Sequence, residues 1–423
     1  MLKIFFAGRF MKPLAFLNKR ITFLAMTQLL AHKIEIRPNA AQRDYIDRAM
    51  GVRRHAFNQL LAHFGQKDVK WSKANAYEYF IKSIRPQFEF YGEVSARVSR
   101  NAIDDLDNAF KHFFRRVKEA KGKGKKGKGK NPFGFPVFKK KGESDSFALR
   151  EAPKFNVSGR DLRIEKCPGR IKLRQKLRFT GKTKQVTISK SAGRYFAAIL
   201  VETADYDVKA GDRLPVIGVD LGLKSLAVVS DGTIIPANQK LKANLRRLQR
   251  RQRNLSKKQR GSNRRAKAKL SVARLHERIA NQRKAVLHEA SDLLSKKADV
   301  IVLEDLNVSG MVKNRRLARA VSDAGLRMLR AMIEYKAALR GVTVTIADRF
   351  FPSSKTCSEC GCVKQDLTLA DRVFHCDDCG FESDRDLNAA INLKRLHALT
   401  ADDKRTQEDC QTSAQAEAFL MTA

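Results

Sequence analysis

PSSKTCSECGCVKQDLTLADRVFHCDDCGFESDRDLNAAINL (residues 352–393) sets two cysteine pairs directly before a polar stretch that turns apolar. Cys357 and Cys360 form one C-x2-C unit, and Cys376 and Cys379 form a second, with fifteen residues between them. That spacing fits a tetrahedral four-thiolate site, for which zinc is the expected ion. Two intervening residues let both thiolates of a pair face one ion. Four ligands close the coordination sphere, so the expected role is structural rather than catalytic. A module this short folds only with its ion, whose binding contributes on the order of 10 kcal/mol. Cys362 and His375 are left over by this count and read as bystanders. Beyond the second pair, Ser383–Asn388 is polar and carries Asp384 and Asp386, while 389–396 has helical spacing.

Working outward, two apolar runs end in acids. VIGVDLG places Asp220 at the end of a buried strand, and IVLEDL does the same for Glu304. An acid there is costly to bury without a cation or hydrogen bonds. On a pleated strand Val302 and Glu304 share a face while Asp305 points the other way, so Glu304 is the expected site residue. Asp386 is the third candidate. Three acids from separate segments suit two Mg²⁺ or Mn²⁺ ions, since hard oxygen ligands favour these over zinc. SLAVVSDGTII reads as a hairpin with an Asp-Gly turn. AGLRMLRAMIEYKAALRG reads as a helix stopped by Gly341, and VTVTIAD as a strand. Alternating strands and helices over 213–400 predict an α/β domain.

The first half differs. HKIEIRPN predicts a short strand, and 40–120 a small helical bundle, from Tyr45, Ile46, Ala49, Val52, Ala56, Leu60 and Phe64 and then Val94, Val98, Ile103, Leu106, Phe110 and Phe114. Residues 145–203 (FALRE, LRIEK, GRIKL, LRFTG, KQVTISK, RYFAAILVE) predict a β-barrel or sandwich, which the His32–Arg37 strand could join. Between bundle and barrel, residues 118–141 hold ten Lys and one acid; the Gly/Lys part reads as a tether or a phosphate-contacting loop.

Charge is the outlier of the composition. The 423 residues carry 85 Lys+Arg against 44 Asp+Glu, a net +41. Such an excess points to a polyanionic partner, with nucleic acid the default. Residues 240–284 alone hold 18 Lys/Arg and one acid, and the spacing of Val272, Leu275, Ile279 and Val286 predicts a long helix with one apolar stripe. Five of the seven cysteines lie within 23 residues; Cys167 and Cys410 stand apart. This clustering reads as metal binding in a reducing compartment rather than as a disulfide framework. Met1–Met26 is apolar but broken by Lys3, Arg9, Lys12, Lys19 and Arg20. It has neither the length of a membrane span nor the form of a signal peptide. It reads as an extension, with Met26 as a second candidate start.

IGVDLGLKSLAVVSDG, LSKKQRGSNRRAKAKLSVARLHERIANQRK, IVLEDLNVSGM, PSSKTCSECG, FHCDDCG and DRDLNAAINL together resemble the TnpB (OrfB) family of bacterial insertion sequences, which is related to the type V CRISPR effectors. GFPVFKKK (Gly134–Lys141) and IRPNAAQRDYIDRAMGVRRHAFN resemble it as well. The resemblance spans about residues 30–395. It implies a wedge β-barrel (27–40 and 130–210) interrupted by a helical recognition lobe and Lys/Gly linker (41–129). A RuvC nuclease domain of RNase H type (211–350 and 383–400) follows, interrupted by a zinc-ribbon insert (351–382). The N-terminal extension (1–26) and a polar tail (401–423) lie outside these. It further implies RNA-guided cleavage of double-stranded DNA. Asp220, Glu304 and Asp386 carry over as catalytic, Mg²⁺-holding residues, the family's Asp-x-Asn-Ala pattern favouring Asp386 with Asp384 as the fallback, and Cys357, Cys360, Cys376 and Cys379 carry over as zinc ligands. The implied partners are a guide RNA from the transposon end and target DNA, with one chain per RNA, in the bacterial cytoplasm at the nucleoid. Two other readings stay open here. One is a catalytically silent regulator of transposition. The other is a transposase that joins DNA strands, because a fold alone does not select among these chemistries.

Overall fold

The computed structural model describes residues 28–66, 68–122, 133–143, 145–204, 213–368 and 371–398. The expectations for the N-terminal extension, the tract at 123–132 and the C-terminal tail lie outside these. The chain forms two compact units, divided after Tyr206.

The first unit opens with β1 (Gln28–Arg37), which alternates as expected and buries His32, Ile34 and Ile36. Helix α1 (Ala40–Phe64) starts at once, because Asn39 and Gln42 form a reciprocal capping box. Gln42 also reaches the carbonyls of Pro168 and Arg170, tying the helix start to the strands that follow. Short helices α2 (Lys73–Tyr79) and α3 (Phe90–Glu93) lead to α4 (Ala96–Gly122). Then come β2 (Ser146–Leu149), β3 (Phe155–Ser158), β4 (Asp161–Ile164), β5 (Ile171–Leu173), β6 (Lys182–Ser191) and β7 (Arg194–Thr203). All pairings in this seven-stranded sheet are antiparallel, in the order β2-β6-β7-β1-β5-β4-β3. It curls until β3 comes beside β6, giving a nearly closed barrel. β1 lies between β7 and β5, so the helices are inserted between one strand of the barrel and the rest. Helices and barrel share one hydrophobic core. Two readings need correction. LRFTG is not a strand: Leu177 and Phe179 pack on the core from irregular backbone, whereas FNVS (155–158) does pair. Phe114 continues the helical spacing of α4 but is exposed.

The second unit is built on a five-stranded sheet of β8 (Leu214–Asp220), β9 (Ser225–Val229), β10 (Ile234–Pro236), β11 (Ala298–Leu303) and β12 (Thr343–Ile346). Its order is β10-β9-β8-β11-β12; the first three are antiparallel, and β8, β11 and β12 run parallel. Between β10 and β11 lie α5 (Lys240–Ser256) and α6 (Asn263–Lys297). The basic stretch is therefore a helical hairpin and not one long helix. Gly261 takes a left-handed conformation at its turn, and Ser262 caps α6 by accepting from Arg265 N. Arg251 and Arg265 tie the arms together through backbone carbonyls. Leu248, Leu275 and Ile279 fill the seam between them. After β11 come α7 (Val308–Met311), α8 (Ala318–Ala324) and α9 (Leu326–Leu339). Asp323 of α8 accepts from the backbone of Leu241 and Lys242, capping α5 from outside its own sequence.

One face of this sheet, carrying Ile217, Val219, Ile301 and Leu303, packs on Leu287, Leu294, Leu329 and Ile333 of α6 and α9. The alternate residues face the last helix, α10 (385–398), where Val302 meets Leu393. A small ribbon with β13 (Val373–His375) and β14 (Glu382–Asp384) connects β12 to α10. No helix among the described residues is long and apolar enough to cross a membrane.

Candidate active site

β8 and β11 are neighbouring parallel strands with Val219 opposite Leu303. The next residue on each is an acid, so Asp220 and Glu304 leave the same sheet edge side by side. By strand alternation both share the α10 face with Gly218 and Val302, two residues before them. α10 is set against that face by a glycine. A Cβ on Gly218 would lie 2.0 Å from the Ala390 carbonyl oxygen and 2.5 Å from the Lys394 nitrogen. No other residue allows so close an approach of helix to strand. Gly218 is two residues before Asp220, and Ala390 is one helical turn after Asp386. The contact thus carries Asp386 to Asp220.

The electrostatics agree with this geometry. Desolvation raises the Asp220 carboxyl well above the usual carboxylate range. The charges of Glu304 and Asp386 push it further, a hydrogen bond shared with Glu304 adds to this, and Arg385 opposes. Three acids sharing one nearby arginine are short of positive charge. An all-oxygen donor set of this kind suits a hard divalent cation. The three carboxyls are more widely spread than a compact single-ion cluster. Among the described residues, the only group of ligand atoms all within 4.8 Å of one another is the cysteine set.

The neighbouring acids have other partners. Asp305 faces away and pairs with Arg330, at 2.8 Å, and with Arg349, which hold its carboxyl below the ordinary range. Asp384 is the cap of α10, accepting from Asp386 N at 3.0 Å and Leu387 N at 3.1 Å.

Four supporting residues escaped the sequence reading. Gly218 is one. Ser353, buried, donates from Oγ to Glu304 Oε1 at 2.6 Å. Asn392 donates to the Ser353 and Thr356 carbonyls. Asn388 donates to Thr356 O and accepts from Ser358 N. Two amides four residues apart on the apolar side of α10 are the signal that could have exposed this clamp.

The clamp holds the ribbon. Cys357, Cys360, Cys376 and Cys379 converge, with Sγ–Sγ distances of 3.7 Å (Cys357–Cys379) and 3.5 Å (Cys360–Cys376). Each C-x2-C unit is followed by a left-handed glycine, Gly361 or Gly380. The backbone N–H of Cys362 draws the Cys360 thiol down to about 7. At Cys379 the Phe381 N–H pulls downward, but desolvation and the other three sulfurs outweigh it and push the thiol to about 12. Four such thiols ionise together only around a cation, so the set can hold a metal ion. Cys362 and His375 stand outside it.

A family model described as "Probable transposase" (OrfB_IS605) matches residues 199–315, and one described as "Cas12f1-like, TNB domain" matches 327–393. A third, described as a helix-turn-helix domain, matches 26–64, where the structure has β1 and α1. A Streptomyces pristinaespiralis protein named "Putative RNA-guided DNA endonuclease" is 34% identical over 372 residues, 86% of this chain and 88% of its own length. The Escherichia coli K12 protein InsQ, of the same description, is 29% identical over 398 residues, 89% of this chain and 94% of its own. Among solved structures, a Cas12f1–sgRNA–target DNA complex has a like fold, with a TM-score of 0.51 at 15% identity over 84% of this chain and 82% of that one.

Proposed function

Since the chain belongs to the TnpB (OrfB) family, we propose that it is a transposon-encoded, RNA-guided DNA endonuclease whose cutting centre is Asp220, Glu304 and Asp386. The observation that carries the reading is the convergence of these acids from β8, β11 and α10. The sheet order, with three antiparallel strands followed by two parallel ones, supports a RuvC domain of RNase H type. The barrel with its inserted helices supports the wedge and recognition roles.

The three acids would hold Mg²⁺ or Mn²⁺, which when bound supplies an activated water and stabilises the leaving 3′ oxygen. The chain's own part is positioning. Glu304 is oriented by Ser353, and Asp386 by the Gly218 contact and the Asp384 cap. Arg385 acts on Asp220 against the two neighbouring acids and moderates their repulsion. Cys357, Cys360, Cys376 and Cys379 would hold zinc, fixing the ribbon that Asn388 and Asn392 fasten to α10.

The +41 charge supports nucleic-acid partners, a guide RNA and target DNA. Guide pairing would supply sequence specificity while the protein grips backbone phosphates. The exposed cations of the α5–α6 hairpin, among them Arg246, Arg247, Arg250, Arg253 and Arg264, are candidates for that grip.

The test is purification from the host with bound RNA, sequencing of that RNA, and cleavage of a matching plasmid with Mg²⁺. The expected result is an element-derived RNA, and cutting that Asp220→Asn abolishes while RNA binding persists. Persistent cutting by that variant would overturn the site. Strand-joined products would favour a transposase, and an inert parent protein a regulator.

A further inference from the structure

Residues 133–143 follow the Lys/Gly tract and are pinned on both sides of one exposed point. On one side Arg116 donates to the Gly134 carbonyl at 3.1 Å, and Gly134 is left-handed. Phe135 packs edge-on against Phe110 and Phe113. On the other side the Asn58 amide clamps Lys139, accepting from its N–H at 2.8 Å and donating to its carbonyl at 3.0 Å. The Lys139 ammonium lies over the Phe57 ring, 3.8 Å from its centroid, and 3.7 Å from Asp105. Between these anchors Val137 and Phe138 are 65% and 57% exposed. Pro136 restricts the backbone immediately before them.

A fixed backbone that holds a phenylalanine out in water needs a reason. The charge of the segment selects a polyanion: Lys140 and Lys141, exposed, follow Phe138 directly in the chain, and the sequence over 118–141 holds ten Lys and one acid. The apolar surface a polyanionic nucleic acid offers is the face of a base. That face is free only where stacking is interrupted, and apolar side chains are the ones that enter such steps. We infer that Val137 and Phe138 form a wedge that stacks on the base left bare where target DNA opens, with the flanking lysines on its phosphates. The inference rests on the RNA-guided part of the proposed function, because a guide can pair with one strand only where the duplex has opened.

The experiment uses guide-loaded protein and a target duplex carrying 2-aminopurine at successive positions. Opening is read in an Asp220→Asn background, where no strand is cut, and cleavage in the Asp220 protein. F138A is expected to slow opening and cutting of a paired target by about tenfold, the scale of one lost base–aromatic stack. F138W is expected to restore both. A target already opened by mismatches is expected to be cut at the parent rate by F138A. Equal opening by parent and F138A overturns the wedge, as would be seen if this surface docked an acidic protein. Equal loss on paired and pre-opened targets overturns it too, and assigns Phe138 to guide binding or folding. Failure of the endonuclease reading looks different: F138A slows opening, yet the parent cuts neither target.

Discussion

The second unit gathers like-charged ligands twice, by opposite means. The four cysteines come from 23 residues of chain and two local knuckles, with Phe374 the one fully buried aromatic between them. Remove the cation and little holds the ribbon together. The three acids come from strands and a helix spread over 167 residues, and a hydrophobic core on each face of the sheet fixes them in place. Because those cores are built from apolar side chains and not from the acids, the scaffold is expected to stand without a metal and to tolerate the repulsion that raises Asp220. The difference predicts that the ribbon's ion is a folding element, while the acids' ions matter to chemistry alone.

The sharpest break of that contrast comes from single substitutions at each cluster. Asp220→Asn should cut the cleavage rate by at least about a thousandfold while leaving the melting temperature unchanged or raised, since a buried like charge is removed. Cys376→Ser should do the reverse in kind, releasing the ribbon to proteolysis and lowering stability. Limited proteolysis and thermal unfolding distinguish the two. A Cys376→Ser protein with an intact ribbon would erase the distinction.

Between these extremes lies the link that joins the regions. Gly218→Val places a side chain where the α10 backbone already sits. It should destabilise the second unit by more than the about 1–3 kcal/mol of ordinary overpacking, read by denaturant unfolding. Asn392→Ala takes the side-chain donor from the Ser353 carbonyl and leaves Thr356 with Asn388 alone. It should cost about 1–3 kcal/mol and lower cleavage through Ser353 and Glu304. Full activity in Asn392→Ala would mean that ribbon and acids are independent. The smallest effect is expected far from both. Neutralising exposed arginines on α5 should flatten the log–log salt dependence of duplex binding by roughly 0.9 per lost phosphate contact, with the cleavage chemistry intact.

The same contrast explains what could be read without a structure. Cysteine spacing is a local property, so the ribbon was legible from residues 357–379 alone. Asp220 and Glu304 were legible because an acid after a run such as VIGV or IVL is conspicuous, and strand alternation set Glu304 apart from Asp305. The supports were not legible, because their partners are distant in sequence. Gly218 looks like any strand glycine until α10 lies on it, and Ser353 looks like a loop serine until Glu304 arrives. The basic segment 240–284 reads as one helix because its apolar spacing continues in α6, while the break into a hairpin depends on the left-handed Gly261. Phe114 fits the helical period of α4, but that helix extends beyond the core that would cover it.

Asp384 and Asp386 give the most direct test of the central claim, that the fold divides neighbouring acids into one that supports and one that cuts. The measurement is plasmid cleavage with Mg²⁺ by guide-loaded Asp384→Asn and Asp386→Asn proteins, prepared side by side. Asparagine keeps the capping oxygen at 384, so that variant should remain within about tenfold of the parent. Asp386→Asn should lose at least about a thousandfold. The opposite ranking, or equal loss in both, would contradict the assignment.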